Sequence, residues 1–141
     1  MLNRSLKPCA VAFVTVLAMS APVAAQMTDA STIRPILEAT KTSWIGVREW
    51  EGQDLLYFTH LETWKCGLTE IRYGINSDAA DEVFAFEVCA EDEAAPSPIS
   101  ADRLPYLTFA PGLIETVTIT LIYDDGAEQT EHFDRAEVKI P

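Results

Sequence analysis

Residues 116–133 read TVTITLIYDDGAEQTEHF, and this stretch decides the fold class. Val117, Ile119, Leu121 and Tyr123 alternate with Thr116, Thr118 and Thr120. A period of two marks a strand with one face on a core and the other in water, because successive side chains point to opposite sides. Asp124-Asp125-Gly126 follows, and glycine accepts a left-handed backbone without steric cost, so the strand is expected to turn back on itself. Two registers are open. A two-residue turn at Asp125-Gly126 sets His132 opposite Ile119, on the core face. A three-residue turn with Gly126 in a bulge sets Phe133 opposite Val117. Burying phenylalanine costs less than burying an imidazole that needs a partner, so the second register is expected, with His132 outward.

Outward from this hairpin the β signal continues. In Leu68 to Ile75, residues Ile71, Tyr73 and Ile75 share one face while Glu70 and Arg72 share the other. Phe84, Phe86 and Val88 lie on one side of 83–89. Residues 48–67, REWEGQDLLYFTHLETWKCG, turn at Gly52-Gln53. Leu55, Leu56, Tyr57 and Phe58 are then apolar on both faces, the pattern of a central strand covered on both sides. The inward set changes parity between Leu61 and Trp64, which predicts a bulge or a strand end near His60. Strands are thus expected over 45–51, 54–60, 68–75, 83–89, 104–109, 115–123 and 128–138. The stretch CAEDEAAPSPISADRLP, residues 89–105, reads as an irregular connector. Ahead of the strands, Thr28-Asp29-Ala30-Ser31 can cap a helix over 31–42, with Ile33, Leu37, Thr40 and Trp44 at helical spacing. A two-sheet β-sandwich of about seven strands with a short N-terminal helix is the expected fold.

The first 25 residues carry a different pattern. Arg4 and Lys7 precede an apolar run too short to span a bilayer, and Val23-Ala24-Ala25 offers small residues for cleavage before Gln26. A secretory signal is expected over 1–25, then an N-terminal segment over 26–43 and the sandwich over 44–141. Localisation in the periplasm or outside the cell follows. Arg4 and Lys7 are two of the ten basic residues, so eight remain after Gln26 against 22 acidic ones, a formal charge of −14. Such a chain lacks the clustered Lys and Arg that nucleic acid requires, and an anionic membrane surface would repel it. Its long-range field would instead attract a basic periplasmic or secreted protein. Cys66 and Cys89 remain after cleavage, and in an oxidising compartment they are expected to pair. No CxxC or HxxH spacing brings His60 or His132 to them as metal ligands.

No residue pattern specifies a catalytic chemistry. GxSxG is absent, and neither His60 nor His132 has a partner set by spacing. Glu49, Glu51, Asp54 and Glu62 flank aromatics as in a sugar-cleaving site, but a chain of this size has little room for the long cleft that such chemistry needs. Asp124-Asp125-Gly126 and Glu91-Asp92-Glu93 could offer oxygen atoms to Ca²⁺, yet without EF-hand spacing the first reads as turn chemistry. No catalytic residue, cofactor or metal is therefore expected. Trp44, Trp50, Tyr57 and Trp64 could form a platform for a sugar or a peptide, or else a core. Trp50, between Glu49 and Glu51 and just before a turn, is the one expected to be exposed. Trp50, Glu49, Glu51, Tyr57 and Trp64 are the candidate contact residues.

CGLTEIRYGINSD resembles a central strand of bacterial immunoglobulin-like domains, and VTITLIYDDGAEQTEHF is similar to their final hairpin. The resemblance implies an immunoglobulin-like topology. IRPILEAT, GQDLLYFTHLETWKCGL and the YDDG hairpin also resemble small exported bacterial proteins to which no activity is assigned; no catalytic residue carries over from them. A non-enzymatic interaction or accessory module is expected, with a small carbohydrate- or peptide-binding domain built around Trp50 as the alternative and a small hydrolase behind both.

Overall fold

The computed structural model describes residues 26–141. The expected signal lies outside the described residues. Among the described residues seven strands form two antiparallel sheets around one core. Strands β1 (Gly46–Trp50), β2 (Gln53–Tyr57) and β5 (Tyr106–Phe109) make one sheet in the order β1-β2-β5. Strands β3 (Leu68–Ile75), β4 (Glu82–Phe84), β6 (Thr116–Tyr123) and β7 (Glu128–Asp134) make the other, in the order β4-β3-β6-β7. Sequence neighbours β2 and β3 lie on different sheets, as do β4 and β5 and again β5 and β6, so the chain crosses repeatedly between layers in the manner of a Greek-key sandwich.

The final hairpin takes the expected register. Val117 pairs with Phe133 and Thr118 with His132. Gly126 has φ 81, and Tyr123 N–H donates to the Ala127 carbonyl at 2.9 Å, closing a three-residue turn. Val117, Ile119, Leu121, Tyr123 and Phe133 are buried, whereas His132 is exposed.

Helix α1 (Ala30–Ala39) starts where Asp29 accepts from Thr32 N–H at 3.1 Å, as a capping aspartate does. Its buried residues Ile33 and Leu37 enter the same core as both sheets. Leu37 also accepts from the Trp44 indole N–H at 2.8 Å, and the Trp44 ring packs 6.2 Å from Phe133. Trp44 is a core residue.

Three expected strands are shorter than their apolar patterns. The strand expected over 54–60 ends at Tyr57, and helix α2 (Thr59–Thr63) follows, which accounts for the change of parity near His60. The strand expected over 83–89 stops at Phe84, because beyond it the chain is held by side chains rather than by a neighbouring strand. The strand expected over 128–138 stops at Asp134, which caps helix α3 (Arg135–Val138) through a reciprocal capping box with Glu137.

The 89–105 connector is fastened at several points. Cys66 and Cys89 form a disulfide. Buried Lys65 lies 3.3 Å from Glu93, Ser97 N–H donates to the Thr63 carbonyl at 2.7 Å, and Ala95 N–H donates to Met27 at 2.8 Å. Near the other end of the chain, Ile140 N–H donates to the Val47 carbonyl at 2.9 Å, and Lys139 forms a parallel bridge with Val47. Gly46 eases this approach: a Cβ there would come within 3.1 Å of the Ile140 side chain.

Candidate ligand-binding face

The carboxylates that suggested sugar chemistry separate into two kinds. Asp54 is wholly buried on the inner side of β2, where Arg135 grips both its oxygens, Nη1 to Oδ2 at 2.5 Å and Nη2 to Oδ1 at 2.8 Å. Ile114 N–H adds a third bond at 3.1 Å. The Arg135 guanidinium, helped by backbone N–H groups, holds the Asp54 carboxyl down to about 2 despite its burial. Glu62 is equally enclosed and accepts from Arg103 Nε at 2.8 Å and Nη2 at 3.1 Å; Arg103 in turn donates to the Ala85 carbonyl. Both acids are anchors, with both oxygens of each engaged. Glu49 lies on the same side of its strand as its partner Asp54 and approaches Arg135 at 3.9 Å. Glu51 stands in the β1–β2 turn.

Neither histidine is hydrogen-bonded to a carboxylate among the described residues. His132 Nδ1 meets the Thr118 hydroxyl at 2.9 Å. His60 Nε2 meets the Thr40 hydroxyl at 2.8 Å, and that hydroxyl gives its own proton to the Ile36 carbonyl at 2.7 Å. Thr40 must therefore accept from His60, which places the proton of the neutral ring on Nε2. Burial pushes the His60 pKa below its ordinary value, which favours that neutral ring.

Strand alternation builds the remaining candidate. The inner face of the three-stranded sheet carries Val47, Asp54 and Leu56, all wholly buried. The opposite parity faces outward: Gly46, Arg48 and Trp50 on β1, Gln53, Leu55 and Tyr57 on β2, Tyr106 and Thr108 on β5. Pairing of Arg48 with Leu55, of Trp50 with Gln53 and of Gly46 with Tyr57 sets these side by side, and Tyr57 with Tyr106 extends the row across the sheet. Trp50 is 50% exposed at the hairpin tip, and the Arg48 guanidinium lies 4.3 Å from the centre of its ring. Tyr57 and Tyr106, both half-buried, stand 5.1 Å apart at a tilt of 51°. Four residue steps separate the Trp50 end from the Tyr57 end, about 13 Å of strand.

Of the contact residues expected from sequence, Trp50 and Tyr57 share this face. Glu49 lies on the other side of the strand, Glu51 is in the turn beside Trp50, and Trp64 sits beyond α2, half-buried and 6.4 Å from the His60 ring. Arg48 and Tyr106 were not singled out from sequence. Arg48 stands two residues before Trp50, and that i, i+2 spacing is the signal that could have found it. Tyr106 had no such signal, because the pairing of β5 with β2 is a long-range choice.

The Tyr57 end of the face opens into a groove of about 470 Å³ between α2, the start of β1 and residues 137–140. Tyr57, Val138 and Ile140 supply apolar wall, while His60, Thr63 and Lys139 supply polar groups. The size is within the range of small-ligand sites. It could not be anticipated, since the return of residues 137–140 to β1 creates it. No protein family, curated protein or solved structure matches this chain, so the functional reading rests on the face and the groove beside it.

Proposed function

We propose that this protein is a non-enzymatic exported binding module whose contact surface is the outer face of the β1-β2-β5 sheet. One observation carries the reading: Trp50, Arg48, Tyr57 and Tyr106 are brought to a single sheet face, with Trp50 half in solvent at its tip. Aromatic rings offer a large contact area at small conformational cost, because each has only two side-chain torsions to fix, and their faces suit flat partners such as sugar rings. A rigid hairpin places them without a folding step on binding. The test is a screen of immobilised glycans and extended peptides against the wild-type protein and Trp50→Ala. Signals lost in a Trp50→Ala protein of unchanged melting temperature support the reading. Signals that survive the substitution overturn it.

A second reading is favoured by separate residues. The carboxylates of Asp78, Asp81, Glu82, Glu91, Asp92 and Asp102 form no ion pair among the described residues, and most lie around β4 and the connector that follows it. They would suit a basic protein partner steered by charge. Capture from a periplasmic extract at low salt, lost at high salt and lost when Glu91, Asp92 and Asp102 become amides, would support it; capture indifferent to salt would sink it.

A further inference from the structure

Arg48 is out of place in its own charge balance. Eight basic residues (the ten of the whole chain less Arg4 and Lys7) face 22 acidic ones. Arg34, Lys41, Lys65, Arg72, Arg103 and Arg135 each have a carboxylate within 4 Å. Among the described residues Arg48 and Lys139 do not, and Lys139 belongs to the segment paired with β1 beside Arg48. The Arg48 Nε is moreover buried with no hydrogen-bond partner. A guanidinium is a fork of donors matched to a carboxylate, and leaving a buried donor unpaired is costly. Arg48 is paired with Leu55 across the sheet and its guanidinium lies over the Trp50 ring, so the packing accounts for the position of the side chain. It does not account for the absence of an acceptor in a chain with so many acids.

We infer that the outer face binds a glycan bearing a carboxylate, such as a uronic-acid oligosaccharide, with the carboxylate on the Arg48 fork and sugar rings over Trp50 and Tyr57. The inference rests on the binding-module reading and names the ligand class of that face. Charge complementarity selects the carboxylate, and Lys139 adds a second cation toward the groove. The aromatic spacing selects rings over an extended peptide. So does the β1 edge, which at Val47 is already occupied by Ile140 and is closed there to strand addition. Strong overall acidity keeps a long polyanion away, so a short ligand with few charges fits better.

The experiment compares a trisaccharide of galacturonic acid with its methyl ester, followed by quenching of tryptophan emission. The acid is expected to bind at least about tenfold more tightly than the ester, the scale of a charge-assisted hydrogen bond. Arg48→Gln is expected to abolish that preference and leave the two equal, while Trp50→Phe weakens both. A purely structural Arg48 would lower the melting temperature on substitution without altering the acid-to-ester ratio. Equal binding of acid and ester by the wild type overturns the carboxylate inference and leaves the face a binding surface. Absence of binding by either trisaccharide overturns the inference too, and the Trp50-dependent signals of the wider screen then decide the binding-module reading separately.

Discussion

Glu51 adopts φ 49 and Gly52 φ 74, so both turn residues between β1 and β2 are left-handed. This is the backbone of the tight hairpin turn that asparagine-glycine favours, and glutamate pays a steric penalty in it. Glu51→Asn is therefore expected to raise stability by about 0.5–1 kcal/mol, read as a higher thermal midpoint. A lower midpoint would mean that the Glu51 side chain makes a stabilising contact. Asp54 shows the opposite economy. Its carboxyl titrates near 2 in the native protein and near 3.9 in an unfolded chain. The pair with Arg135 thus contributes its full stability above about pH 5 and loses it as pH falls through 4 toward 2, because the unfolded chain takes up the proton first. Asp54→Asn leaves Arg135 without its buried partner, at a cost of about 3 kcal/mol. It should also flatten the acid limb of a plot of denaturant midpoint against pH between 4 and 2, and an unchanged limb would show that other carboxylates dominate it.

At the scale of elements, the connector over 89–105 owes its order to what grips it. The Cys66–Cys89 disulfide spans 23 residues. By chain entropy its loss costs about 3 kcal/mol, so Cys89→Ser should lower the denaturant midpoint accordingly. Arg103→Ala should cost about as much, since it strands Glu62 inside the protein, and Arg103→Met with Glu62→Leu should recover most of it. A single Arg103→Ala variant as stable as the wild type would refute that account. These anchors also mark the boundary of what the sequence discloses. The β6–β7 register was legible because one residue, Phe133, had to be buried and its neighbour His132 did not. The seven strands were legible because their periods are local. The ends were not: LLYFTHL is apolar through Tyr57 into Leu61, and nothing in that run says that its period changes at Thr59. Beyond the expected Cys66–Cys89 pairing, the composition of 89–105 does not reveal that Glu62 and Lys65 wait for it in the core. Of the candidate face, Trp50 and Tyr57 could be read from the chain; Arg48 could have been, and Tyr106 required the fold.

For the molecule as a whole, the formal charge of −14 on 26–141 (eight basic residues after Arg4 and Lys7 are set aside, 22 acidic) opposes compaction, even though most basic residues are paired. Screening should relieve more repulsion than it removes attraction, because the net excess acts over longer distances than the ion pairs. The thermal midpoint is expected to rise by a few degrees between about 10 and 150 mM salt. A fall would show that the paired charges outweigh the excess. The segment that ends in Ile140 has another consequence at this scale. A strand at the margin of a sheet presents free amide and carbonyl groups to any other chain that can line up with them, and β1 is such a margin, engaged at Val47 by Ile140. By laying Lys139 and Ile140 along β1 at Val47, beside the small Gly46, the protein covers that part of the margin against a second copy. Removing 139–141 should turn a concentration-independent elution volume into one that shifts with protein concentration as copies join margin to margin.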